Sequence, residues 1–235
     1  MKRGFSLLEC LVSMSLFLFV LTASVQFYLI TRNQFIKLKD AREEQEAVAA
    51  SLEKIRMDLR EAGRGLKTPV LLGLLSCLET DGGKMTLVQS QSFHAARSDL
   101  FAGQTRIPLL STTALRKNRR VCIFNRTHGE MREILRIEGK DCILKNPLQH
   151  PYPAAEVSAV QIKKIAYYLD TGRNILRRKV NAAPAQPLLE NTSLFLPEFN
   201  MQKNLVRIRL ALMNKEEKIH ETSFYPKNTS FSILR

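Results

Sequence analysis

The amino-acid sequence predicts an α+β protein in which a long N-terminal helix, its first half able to cross a membrane, packs on antiparallel β-sheet. Three observations predict it. No charged residue occurs from Cys10 to Thr31, a run of 22 positions. Downstream, Leu38, Ala41, Gln45, Val48, Leu52, Ile55 and Leu59 recur at alternating steps of three and four, which is the stripe of an amphipathic helix. From Lys67 onward the chain changes to short β-type runs separated by turn residues.

As a helix, the uncharged run spans about 33 Å, against roughly 30 Å for the hydrocarbon core of a bilayer. Neither glycine nor proline occurs between Phe5 and Gly63. The helix is therefore expected to run unbroken from about residue 5 to 62. Arg42 with Glu46 and Lys54 with Asp58 form opposite-charge pairs at i, i+4 on faces other than the stripe. Gly63 and Gly65 supply the stop. Because the remainder is rich in strands, the stripe is expected to pack on a sheet rather than in a free coiled coil.

Beyond the helix, "KMTLVQS" follows the turn "TDGG". "RRVCIFN", "REILRIEG" and "DCILKNPL" read as strands divided by "THGE" and "GKD". "AVQIKKIAYYLD" leads through "TGRN" into "ILRRKV", a hairpin. "NAAPAQPLLENTS" reads as a loop. Val206, Ile208, Leu210 and Leu212 alternate with Arg207 and Arg209, the clearest half-buried strand in the chain.

At 235 residues, with 45% hydrophobic and 25% charged residues, the chain can bury a substantial core in one large or two small domains. Its net charge of +14 points to nucleic acid, anionic lipid or an acidic partner, or to a cationic surface that is simply solvated. Of four cysteines, Cys10 lies in the apolar run, leaving an odd three in the remainder. That is no disulfide framework.

The apolar run admits three readings. In a secretory signal peptide, Lys2 and Arg3 would form the basic region and "LTAS" the cleavage site, but apolar residues continue through Ile30 and Glu9 stands at the start of the run. In a lipoprotein signal, the residue before Cys10 should be small and neutral, and it is Glu9. The third reading rests on "KRGFSLLE", which resembles the processing site of type IV prepilins and type II secretion pseudopilins. In that family a short basic leader ends in glycine, a phenylalanine begins the mature chain, an acid follows four positions later, and an apolar stretch comes next. Gly4, Phe5 and Glu9 match these positions.

The resemblance implies a pilin-like fold, cleavage between Gly4 and Phe5 by a prepilin peptidase, and methylation of the new Phe5 amine. It implies that Glu9 meets the N-terminal ammonium of a neighbouring subunit in a filament. A carboxylate at mid-membrane costs roughly 2.5–3.5 kcal/mol, and less near the interface where Glu9 lies. The absence of glycine and proline departs from major pilins, whose apolar helix commonly contains both. "IRMDLREAGRG", "IAYYLDTGRNILRRKVNAAPAQPLLENTSLF", "VRIRLAL" and "YPKN" are similar to W-type minor pilins and J-type minor pseudopilins. The implied organisation is a leader at residues 1–4, a transmembrane helix at 5–31, its amphipathic continuation at 32–65, and a β-rich extracytoplasmic domain at 66–235. The implied partners are other pilin subunits, met through the N-terminal helix, the peptidase and the membrane.

No enzymatic signature stands out. His94, His128, His150 and His220 are far apart, no C-x-x-C occurs, and no nucleophile elbow, P-loop or H-E-x-x-H is present. No catalytic, cofactor-binding or metal residue is assigned. Cys122 and Cys142 lie on strands predicted to be neighbours, so a disulfide between them is a candidate, as is burial of both as small apolar side chains. The basic runs "RKNRR" (Arg116 to Arg120), "KK" (Lys163, Lys164) and "RRK" (Arg177 to Lys179) could meet DNA phosphates, with Tyr167 and Tyr168 near the lysines. Solvated charge and core tyrosines are the simpler account. A structural subunit of a pilus or pseudopilus is thus the leading expectation, with a DNA-uptake receptor and a signal-anchored envelope protein as rivals.

Overall fold

The structure, a computed structural model, describes residues 7–213 and 219–229. The chain divides into two compact units, Met1–Ala50 and Ser51–Arg235. Helix α1 (Leu7–Glu61) contributes to both, and a one-turn helix α2 (Lys67–Leu71) follows it. The long N-terminal helix and the antiparallel sheets that come after it make the α+β, pilin-like architecture.

In the first unit α1 is uninterrupted, as a segment without glycine or proline allows. Arg42 and Glu46 pair at 2.8 Å and Lys39 and Glu43 at 3.6 Å along exposed faces. Leu38, Ala41 and Gln45 of the stripe are exposed, and burial along it begins at Val48.

In the second unit the last turns of α1 bury Ile55, Leu59 and Ala62 together with two polar residues, Ser51 and Asp58. The buried face is therefore rotated from the apolar stripe toward Ser51 and Asp58. Asp58 does not face Lys54. Its Oδ2 accepts from Tyr167 Oη at 2.5 Å and from Arg178 Nε at 2.7 Å. A buried carboxylate requires such partners, and no ion pair with the half-buried Lys54 one turn away forms among the described residues. Ser51 donates to the Leu188 carbonyl at 3.0 Å, and Asn228 Nδ2 donates to the Arg60 carbonyl at 2.9 Å. The helix stops where Gly63 takes φ +73°. A Cβ there would lie 2.1 Å from the Asn228 carbonyl oxygen, so only glycine fits.

The main sheet contains β1 (Leu78–Asp81), β2 (Lys84–Ala95), β3 (Arg106–Pro108), β4 (Arg120–Phe124), β5 (Gly129–Glu138), β6 (Asp141–Leu144), β7 (Ser158–Asp170), β8 (Ile175–Val180) and β9 (Gln186–Leu189). Its order is β1-β2-β7-β4-β5-β6-β3, with β8 on β7 and β9 on β8. A second sheet is formed by β10 (Thr192–Asn200), β11 (Leu205–Leu212) and β12 (Ile219–Phe224) in that order. All the pairings are antiparallel, the arrangement that short hairpins permit. Gly82 and Gly83 make the tight turn between β1 and β2 at φ +45° and +102°.

β7 is the central element. β2 pairs with it along one edge, while β4 and β8 share the other. Burial on both faces of the sheet is clearest on β4. Val121 and Ile123 join a core with Leu100, Ile107, Ile134 and Tyr152, while Cys122 and Phe124 join one with Leu66, Val88, Val160 and Ile162. This alternation corrects the candidate disulfide. Cys142 belongs to the first core and Cys122 to the second, β5 lies between their strands, and both thiols are free. Successive side chains point to opposite faces, so the two sulfurs are divided by the sheet itself.

The segment read as the loop "NAAPAQPLLENTS" holds β9 and the start of β10. β9 is short, carries Pro187 and meets β8 with a register shift, features that hide an edge strand from pattern reading. In β11, Val206, Ile208 and Leu210 are buried as the alternation predicts, while Leu212 is half-buried.

Two outcomes follow. Removing one partner of a buried ion pair costs about 3–5 kcal/mol. Asp58→Ala should therefore lower the urea midpoint sharply, while Tyr167→Phe, which keeps the ring, should cost about 1–3 kcal/mol. Circular dichroism during denaturation measures both, and an Asp58→Ala protein as stable as the parent would refute the clamp.

Alkali should also act on the core. Burial pushes the Cys77 and Cys122 thiols up to about 12 and Cys142 to about 11, from an ordinary 9.0. Tyr152 and Tyr167 are raised by burial and then by their bonds to Glu130 and Asp58. The unfolded chain releases these protons first. The stability they contribute is whole below the ordinary thiol value and is lost as pH climbs from about 9 toward 12. Urea midpoints between pH 8 and 11 should fall, and less steeply for Cys122→Ala.

Candidate functional site

The apolar segment of α1 meets the physical demands of a membrane span. Its most apolar 18-residue window has mean hydropathy 2.0, and none of that window is buried within the protein. Leu11, Phe17, Phe19, Leu21, Phe27 and Ile30 are all exposed. In lipid every polar group must find a partner inside the segment. The hydroxyls of Ser13, Thr22 and Ser24 accordingly donate to carbonyls four residues back at 2.7–2.8 Å, and Ser15 donates to Val12 at 2.9 Å. These four residues weaken helix propensity only slightly, and their bonds return the polar atoms to the helix backbone.

Glu9 lies in the first turn of α1, where the positive end of the helix dipole favours a carboxylate. Its backbone carbonyl accepts the Ser13 hydroxyl. Gly4 and Phe5, the candidate cleavage and methylation positions, lie outside the described residues. Cys10, beside Glu9, is exposed, whereas Cys77, Cys122 and Cys142 are buried.

The basic runs separate on inspection. The "RRK" run is largely occupied within the fold, since Arg177 pairs with Asp170 at 2.8 Å and Arg178 with Asp58 at 2.7 Å. Tyr167 is fully buried in the Asp58 network rather than offered to a base. Arg116, Lys117, Arg120 and Lys164 are exposed, and Arg119 and Lys163 are half-buried. None of these six forms an ion pair among the described residues.

His94, His128 and His150 make local contacts within the fold. His94 is buried. Its Nδ1 donates to the Ser111 carbonyl at 2.7 Å, its Nε2 accepts from the Ser92 hydroxyl at 2.7 Å, and burial holds it below the ordinary histidine range. His128 packs its ring 4.9 Å from Tyr152 and 5.0 Å from His150. Beside them lies a buried acid that pattern reading missed. Glu130 accepts from Tyr152 Oη at 2.9 Å, from the Gln149 backbone at 3.0 Å, and from Arg132. Among the described residues, no group of three or more His, Cys, Asp or Glu is placed to hold a metal ion.

The model of the prokaryotic N-terminal methylation motif matches residues 1–25. That motif indicates a type IV pilin-like prepilin, of the kind that prepilin peptidase processes. With one apolar N-terminal helix, it fits a membrane-anchored protein. No curated protein matches the sequence. Two solved structures resemble parts of the chain. The tailspike of Acinetobacter baumannii bacteriophage AP22 has 12% identity over 33% of this chain and 15% of its own, with TM-score 0.30. The tailspike protein of Pseudomonas phage LKA1 has 24% identity over 30% of this chain and 14% of its own, with TM-score 0.27. The chain thus spans less than a sixth of either tailspike, and at these TM-scores the likeness carries no argument.

A direct outcome concerns the anchor. The full chain should stay in the membrane pellet through alkaline carbonate extraction. Deletion of residues 10–31 should release it, and Glu9→Leu should not. Release of the full chain would refute the span.

Proposed function

We propose that this chain is a minor pilin or minor pseudopilin of the W or J type, incorporated at or near the tip of a type IV pilus or type II secretion pseudopilus, where it helps start assembly. The observation that carries the reading is the N-terminal methylation motif at residues 1–25, which runs into an apolar helix whose most apolar window is left unburied by the described residues. A helix of that kind lies in lipid before assembly and against other helices afterward.

In this reading cleavage after Gly4 exposes the Phe5 amine, which is then methylated. The mature chain loses Lys2 and Arg3 with the leader. Glu9 supplies a carboxylate near the cytoplasmic end of the span, where its cost in lipid is modest. In the filament it receives a neighbouring subunit's N-terminal ammonium, an ion pair in a low-dielectric setting that fixes the axial register of one helix against the next. The β-rich domain is carried outside the cytoplasmic membrane. The DNA-receptor alternative is weakened by the internal pairing of Arg177 and Arg178.

The test has two parts. Mass spectrometry of the mature protein should find an N-terminus at Phe5 carrying one methyl group. A chain that keeps Met1, or begins at Val25, would overturn the reading. Glu9→Leu should insert in the membrane at the parent level yet fail to enter filaments, and normal incorporation would remove Glu9 from assembly.

A further inference from the structure

The edge of β7 that faces β4 and β8 is not fully covered. β4 pairs with Ser158–Gln161 and β8 with Ile165–Asp170, so the strands fork apart at residues 162–164. Asn181, just past β8, braces the fork. Its amide donates to the Lys164 carbonyl at 2.7 Å, and its Oδ1 accepts the Lys164 amide at 2.8 Å. A groove of about 550 Å³ lies here. Its apolar lining comprises Val88 and Ile162 of the second core, with Leu74, Leu75 and Met131, which pack against that core half-covered. The groove is thus an open margin of the hydrophobic core.

Three cations line it, Arg119, Arg120 and Lys164, against one acid, Glu79. None of the three holds a carboxylate among the described residues, unlike several arginines elsewhere in the second unit. Arg97, Arg106, Arg132, Arg136, Arg207 and Arg209 each hold a carboxylate. Glu133, opposite Arg120 in register, is engaged by Lys145 at 3.4 Å. Arg116 and Lys117 add two further exposed cations just upstream.

We propose that this groove binds a segment of a partner subunit in which carboxylates flank a large apolar side chain. The apolar side chain covers the open core margin, and the carboxylates meet the arginines and the lysine. Charge complementarity selects this occupant. The groove carries a cationic surplus, and a purely apolar peptide would leave those cations beside a dry surface without partners. A nucleic-acid strand would use the charge but needs stacking platforms, and no aromatic residue lines the groove among the described residues. This docking goes beyond the assembly role of α1, and it rests on the proposed function only in taking the partner to be another subunit.

The test uses the full chain in a neutral detergent, titrated calorimetrically with an acetylated pentapeptide that alternates glutamate with leucine and phenylalanine. The glutamine counterpart of that peptide and a twelve-nucleotide oligothymidylate are titrated in parallel. The glutamate peptide should bind. The double variant Arg120→Gln with Lys164→Gln should weaken it at least tenfold, Arg126→Gln, an exposed arginine outside the groove lining, should leave it unchanged, and Glu79→Gln should tighten it several-fold. A gain on Glu79→Gln cannot arise from misfolding. Equal binding of the glutamine peptide, an unaffected double variant, or binding of the oligonucleotide alone would overturn the proposal.

Discussion

A carboxylate removed from water must find both a cation and hydrogen-bond donors, and Asp58 finds them on strands distant in sequence. Tyr167 of β7 and Arg178 of β8 converge on its Oδ2 at 2.5 and 2.7 Å. The guanidinium also lies 3.2 Å from the tyrosine oxygen, so the three groups form a closed set. The set stitches the end of α1 to the central hairpin of the main sheet. Once Asp58 is fixed, Ile55, Leu59 and Ala62 are committed to the interior and the helix must end at Gly63, against the Asn228 carbonyl. A buried ion pair is weak evidence of net stability, but losing one partner is severe. The geometry therefore favours specificity, since a helix rotated by a single residue would strand the acid.

The same central strand organises the rest. β7 carries β2 along one edge and divides the other between β4 and β8, and the division leaves the fork at residues 162–164. Closing that fork with a strand would have sealed the second core. Leaving it open exposes an apolar margin beside unpaired cations. Several arginines are tied to carboxylates within the fold, while Arg116, Lys117, Arg120 and Lys164 are exposed and Arg119 is half-buried, none of them in an ion pair among the described residues.

Much of this was legible in the sequence wherever one residue's environment is set by its neighbours in the chain. The uninterrupted helix follows from the absence of glycine and proline, the hairpins from "TDGG" and "GKD", and β11 from its strict alternation. Legibility failed where polar residues lie on buried faces. Helix spacing alone pairs Asp58 with Lys54, and adjoining lysines make Tyr167 resemble a DNA contact, yet both side chains are buried together. Closeness in sequence makes the strands of Cys122 and Cys142 look like neighbours, yet β5 lies between them. In β9, proline and a register shift hide an edge strand.

The sequence by itself determined the long apolar helix and the N-terminal methylation motif, because uncharged length and the order glycine, phenylalanine, acid are properties of the chain alone. Only the tertiary structure decided which charges are bound and which are free. That choice depends on strand order and on which face of the sheet each side chain takes. The order β2-β7-β4-β5-β6, with β8 beside β4 on one edge of β7, brings Asp58 to Arg178, divides Cys122 from Cys142, and leaves Arg119, Arg120 and Lys164 around an open groove. These are pairings at long sequence separation, for which no local pattern carries a signal.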